Sequence, residues 1–235
     1  MQAAERIARL WRNPPSAETP PLLRQTYLQS LNLSERQLRL FGVGCWWSPP
    51  ILEQRRRNSP NNNPLSRLVE AIEMAERCID GEVTRSDIKE QFDTPFGFTE
   101  PVFDSTVEPN PLIGAFTSCE AAYGLGARPY HDHERVYQGV LLAGIVAPGW
   151  ECRSDWRTEI TQSIARAIYQ NHSFGGMQIL ADALEESGCD NNDWLSLLRM
   201  PLPGHNFLHG NDVDFLRNEA PWPWCRGCRI IDDLR

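Results

Sequence analysis

Residues 167–199 read AIYQNHSFGGMQILADALEESGCDNNDWLSLLR, and their pattern decides the fold class. Upstream, Ile160, Ile164, Ala167 and Ile168 recur at the 3-4 spacing of one helix face, and Trp156 extends that stripe by a turn. The stripe predicts a helix from Trp156 to Asn171. Gly176 opens a second helix, with Ile179, Leu180, Ala183 and Leu184 predicted buried and Gly188 as its stop. Asp190 then caps a third, carrying Trp194, Leu197 and Leu198.

The same reading extends over the rest of the chain. Ile7, Leu10 and Trp11 share a side of a short helix that stops at Asn13-Pro14-Pro15, because a residue before proline avoids the helical region. Leu22 to Leu31 predicts another helix. Ser34 and Gln37 form a capping box ahead of Leu38, Leu40, Phe41, Val43, Cys45 and Trp46, a segment apolar nearly all round and so predicted buried. Leu65, Leu68, Val69, Ile72, Ala75 and Ile79 follow a helical rhythm up to Gly81, and Thr84 caps a short helix to Phe92. Residues 93–114 are rich in proline and phenylalanine and predict an ordered loop with no helix of normal length. Further helices are predicted for Leu112 to Ala127 and His133 to Ile145. Cys228-Arg-Ile-Ile reads as a short strand or a final helical turn. The fold class is therefore mainly α: an irregular multi-helix bundle with Pro-rich ordered loops and little or no β. It is read as a single domain over 1–235, with a candidate seam at 93–112.

Bulk properties narrow the function classes. A chain of 235 residues buries roughly 70–75% of its unfolded surface and needs no staples. Lys plus Arg number 23 against 31 Asp plus Glu, a formal charge of −8, which argues against a broad nucleic-acid footprint. There is no 18-residue apolar run, and the charged N-terminus lacks the apolar core of a signal peptide. Seven scattered cysteines fit a reduced, cytoplasmic protein better than a disulfide framework.

Three stretches carry a resemblance. The first is Gln37-Leu-Arg-Leu-Phe-Gly-Val-Gly-Cys45, followed by Val69-Glu-Ala-Ile-Glu-Met-Ala-Glu-Arg77 and Asp80-Gly81. The second runs from Leu141-Leu142 through Trp156-Arg-Thr158 to Ala165-Arg-Ala-Ile-Tyr169. The third is Ile179-Leu-Ala-Asp-Ala-Leu-Glu-Glu-Ser-Gly-Cys189, closed by Arg226-Gly227-Cys228. Together they resemble a family of uncharacterised helical bacterial proteins with the motifs LRLFACACC, AVEVAERYADG, PILADALEEAGC and HVRGCWVVD. The resemblance covers about two-thirds of the chain and rests on motif order. It implies a helical fold and no reaction, and carries over no catalytic residue. The chain departs from the pattern in the Phe/Pro loop of 92–114, in Trp46-Trp47, and in the expanded link from Met200 to Trp224.

Four constellations are candidates for chemistry. His205 and His209, four apart, followed by Cys225 and Cys228 around a glycine, have ligand types and spacing suited to a structural zinc ion. The competing reading is two packed thiols and two loop histidines, with no cofactor. His131-Asp132-His133-Glu134 is dense in acid-base groups, but neighbours on a helix diverge, which favours a solvated helix start with Asp132 as cap. Trp222 and Trp224 in a Pro-rich segment, with Phe96 and Phe98 in the 92–114 loop, are candidate interface anchors. Arg55, Arg56 and Arg57 form a local basic run able to touch phosphate within a larger complex. No nucleophile elbow, P-loop or dinucleotide fingerprint is present, and Cys45 and Cys119 sit in apolar patterns that raise a thiol pKa. The sequence thus favours a non-enzymatic helical adaptor or accessory subunit that binds a protein partner. The rival readings are a metal-dependent hydrolase and a nucleic-acid-associated accessory subunit.

Overall fold

The computed structural model describes residues 11, 21–48, 51–52, 64–92, 100–125, 131–171, 173–199, 226 and 228–235. Among them are eleven α-helices and no strand, so the mainly α reading holds. In chain order they are α1 (Pro21–Ser30), α2 (Glu35–Gly44), α3 (Pro64–Ile79), α4 (Arg85–Phe92), α5 (Glu100–Val107), α6 (Pro111–Leu125), α7 (His131–Val146), α8 (Glu159–Asn171), α9 (Met177–Glu186), α10 (Asn192–Leu198) and α11 (Arg229–Leu234). No helix among the described residues is long and apolar enough to cross a membrane.

The local signals act as read. Ser34 accepts from the Gln37 amide while Gln37 bonds back to the Ser34 backbone, closing the capping box that starts α2. Thr84 and Asp87 do the same for α4. Gly81 and Gly188 take φ of 77° and 88°, the left-handed conformation that ends a helix at little cost in glycine.

The apolar surface gathers in two clusters. The first is built on α2, whose residues 38–44 are all buried. α2 packs chiefly on α6, and α5 closes over both. This close approach depends on Gly42: a Cβ there would lie 2.0 Å from Ser105 Oγ and 2.9 Å from Ala115 Cα. Trp11 is fully buried against it, edge-on to Phe41 at 5.3 Å, with its Nε1 donating to Gln138 at 3.1 Å. The second cluster starts at Ala147 and unites the faces of α8, α9, α10 and α11 with Trp150 and Trp156.

Several local expectations are corrected. Residues 93–114 hold a helix after all, α5, and α6 begins at Pro111 rather than Leu112. Prolines 101 and 111 fall in first helical turns, where the missing N–H costs nothing, so they start helices instead of breaking them. Asn110 Oδ1 caps α6 by accepting from Leu112 N at 3.0 Å. Asn191, not Asp190, caps α10, accepting from Trp194 N at 3.3 Å. Of the two readings left open for Cys228-Arg-Ile-Ile, the helical turn is the one formed, as α11 with Cys228 at its N-cap. Ile160 and Ile179 are 65% and 61% exposed instead of buried. The buried face of α8 runs through Thr161, Ala165, Ile168 and Tyr169, which turns Ile160 outward.

Candidate functional site

Most of the residues singled out in the sequence lie outside the described residues. His205, His209, Cys225, Trp222, Trp224, Phe96, Phe98, Arg55, Arg56 and Arg57 all do. Cys228 is described. It is 1% exposed, sits at the N-terminus of α11 within the second apolar cluster, and burial pushes its thiol up to about 12. Among the described residues no group of three or more His, Cys, Asp or Glu side chains is placed to hold a metal ion. His131, Asp132 and His133 open α7, but the solvated helix start is corrected at Glu134, which is fully buried.

The densest polar site among the described residues is a cluster that was not singled out from the sequence, at the joint of the two apolar clusters. Arg36, in the first turn of α2, donates to Asp80 Oδ1 at 3.0 Å, to Asp232 Oδ2 at 2.5 Å, and to Tyr169 Oη and Arg226 O at 3.4 Å each. Arg226 donates to Asp80 Oδ2 at 3.3 Å and Glu82 Oε1 at 3.1 Å, and its Nε lies 3.8 Å from Glu76 Oε2. The Tyr169 hydroxyl donates to Asp80 in turn. Its ring is flanked by the guanidiniums of Arg226 and Arg235, at 4.8 and 3.6 Å from the centroid. Trp47 Nε1 donates to Glu76 Oε1 at 3.2 Å. Four parts of the chain distant in sequence are thereby tied together: the start of α2, the end of α3, α8, and the C-terminal residues Arg226 and α11.

Burial governs the electrostatics here. Glu76 has no exposed surface, and desolvation drives its carboxyl up to about 8 against the opposing pull of Arg226 and the Trp47 bond. Burial likewise raises Asp232, partly offset by Arg36. Tyr169 is raised by burial and by its bond to Asp80. For Arg36 burial works to lower the pKa, but Asp232 and Asp80 outweigh it and the net shift is upward.

A second network lies within the first apolar cluster. Glu134 accepts from Ser48 Oγ and, at 3.0 Å, from Gln138 Nε2. Gln138 Oε1 takes Arg135 Nη1 at 2.8 Å, and Arg135 Nη2 reaches Glu120 at 2.9 Å. Burial raises Glu134 to about 7, reduced by the Ser48 and Gln138 bonds.

Two carboxyls that titrate near neutrality have the pKa of a general acid or base, but such a group must also reach a substrate. Glu76 and Glu134 are both closed off from solvent. An open groove of about 350 Å³ lies beside the joint, lined by Glu35, Arg36, Arg39, Cys78, Arg85 and Thr106 among others. Arg36 is already engaged as above. Arg39 bonds to Glu35 at 2.9 Å and to the Ser105 and Glu108 carbonyls at 2.8 and 3.0 Å. Burial raises the Cys78 thiol despite Arg85 and Arg39, away from the thiolate a nucleophile needs.

Glu76 and Asp80 belong to the first of the three motif stretches, Tyr169 to the second and Arg226 to the third. Their charged and hydroxyl side chains converge on one point. No family model matches the chain, and neither a curated protein nor a solved structure matches it significantly.

Proposed function

We propose that the chain is a non-enzymatic helical adaptor or accessory subunit of the bacterial cytoplasm that binds a protein partner. The observation that supports this is the exposure of Ile160 and Ile179, at 65% and 61%, on α8 and α9. Covering what is exposed of either side chain is worth at most about 1.5–3 kcal/mol. Each is presented by a helix whose opposite face is buried, through Ile168 on α8 and Leu180 on α9.

The test is affinity purification of the tagged full-length chain from its native host. A partner protein should co-purify in near-stoichiometric amount and be lost from the Ile160→Arg/Ile179→Arg variant, whose far-UV circular dichroism stays that of the parent. A clean monomer without partner overturns the reading.

A further inference from the structure

The segment 147–153, which follows α7, lies over the turn between α9 and α10. Asn191 Nδ2 donates to Gly149 O at 3.3 Å and Trp194 Nε1 donates to Pro148 O at 3.2 Å. The Trp150 and Trp194 rings meet edge-on at 6.4 Å. Each of these two segments carries one cysteine outside any helix. Cys152 is half-buried and packs against the apolar cluster that contains Cys189. Cys189 is 4% exposed, and both thiols are free. Both thiols lie with the second apolar cluster, on the two segments that the Asn191 and Trp194 bonds hold together. Among the other described thiols, Cys228 shares the second apolar cluster, while Cys45, Cys78 and Cys119 belong with the first. Cys45 and Cys119 are sealed in the first cluster, and Cys78 faces the groove. Cys228 lies at the start of α11.

We propose that Cys152 and Cys189 are a redox couple that closes to a disulfide when a hydroperoxide is the oxidant, stapling segment 147–153 to the α9–α10 turn. The more exposed Cys152 reacts first. Its thiolate attacks the peroxide oxygen, the O–O bond breaks, and the leaving alkoxide or hydroxide takes up a proton, which leaves Cys152 as a sulfenic acid. The Cys189 thiolate then attacks the Cys152 sulfur. The S–S bond forms, the S–O bond breaks, and the departing hydroxide is protonated to water. Two thiols lose two electrons, and one hydroperoxide is reduced to an alcohol and water. Burial raises both thiols, Cys152 less completely enclosed than Cys189. The reaction is therefore slow at neutral pH and accelerates as pH rises and thiolate accumulates.

The experiment treats the folded full-length chain with hydrogen peroxide, blocks remaining thiols and maps peptides without reductant. The expected product is a Cys152–Cys189 linked peptide, lighter than the two free peptides by two hydrogens and abolished by reductant. Its rate of formation should rise roughly tenfold from pH 7 to pH 8, following the thiolate fraction. In the Cys189→Ser variant, Cys152 should persist as a sulfenic acid that a cyclic 1,3-diketone probe labels. Irreversible oxidation of Cys152 in the parent chain without linkage to Cys189 overturns the proposal, as does preferential linkage of Cys152 to any other cysteine.

Discussion

Arg226 and Glu76 stand 3.8 Å apart with Glu76 wholly buried and the Arg226 side chain 6% exposed, although 150 positions separate them in the chain. Removing one member of a buried charged set leaves its partners desolvated and unpaired, at a cost of about 3–5 kcal/mol. Arg226→Met, which keeps the length of the side chain but removes the cation beside Asp80 and Glu82, should be destabilising in urea unfolding by less than that, because Asp80 keeps Arg36. Glu76→Gln should change stability by less than about 1 kcal/mol at pH 7, because the amide oxygen can still accept from Trp47 and the native carboxyl is already largely neutral.

The two buried carboxyls also set a pH dependence. Glu76 at about 8 and Glu134 at about 7 are both raised above the ordinary value of 4.5 that they regain on unfolding. Between these limits the folded chain holds protons that the unfolded chain has released, so stability falls as pH rises. The urea midpoint should decline from pH 5 to pH 8. The Glu76→Gln/Glu134→Gln variant should show a flatter profile over the same range. A midpoint that climbs steadily with pH in the parent chain contradicts the burial of both groups.

Gly42 makes a steric prediction. Gly42→Ala places a methyl group against Ser105 Oγ and the Ala115 backbone, and overpacking of this kind costs about 1–3 kcal/mol. Adding Ser105→Ala should recover only part of the loss, since the Ala115 Cα at 2.9 Å belongs to the α6 backbone and cannot turn aside. Thermal melts of the single and double variants check this.

Isoleucines on one helix should behave oppositely. Ile168→Ala on α8 empties a site that is 1% exposed and should cost about 2–5 kcal/mol. Ile160→Arg, at 65% exposure, should stay within about 0.5 kcal/mol of the parent while abolishing partner capture. Denaturant titration and affinity purification of the same two proteins separate stability from binding.

The helical content was legible because its signals are local. The Ser34–Gln37 box, the Thr84 cap, and Gly81 and Gly188 as stops need only a few neighbouring residues to act, and each is found where the pattern placed it. Where local reading failed, at α5 and Ile160, the cause was also specific. Prolines 101 and 111 lie in first turns rather than interiors, and the register of α8 is chosen by what Thr161 and Ile168 pack against.

By itself the sequence determined that the chain is built of helices and where most of them begin and end, since hydrogen bonding within a helix spans four residues. Only the tertiary structure decided which ionisable groups meet. Arg36 finds Asp232 across 196 positions because α11 docks beside α8 at the start of α2, and no periodicity in the sequence records that docking. The same holds for Glu134, whose place in a polar-looking run concealed that Ser48 and Gln138 enclose it. Burial is a property of what the rest of the chain brings alongside, and it turned ordinary carboxyls into groups that titrate near neutral pH.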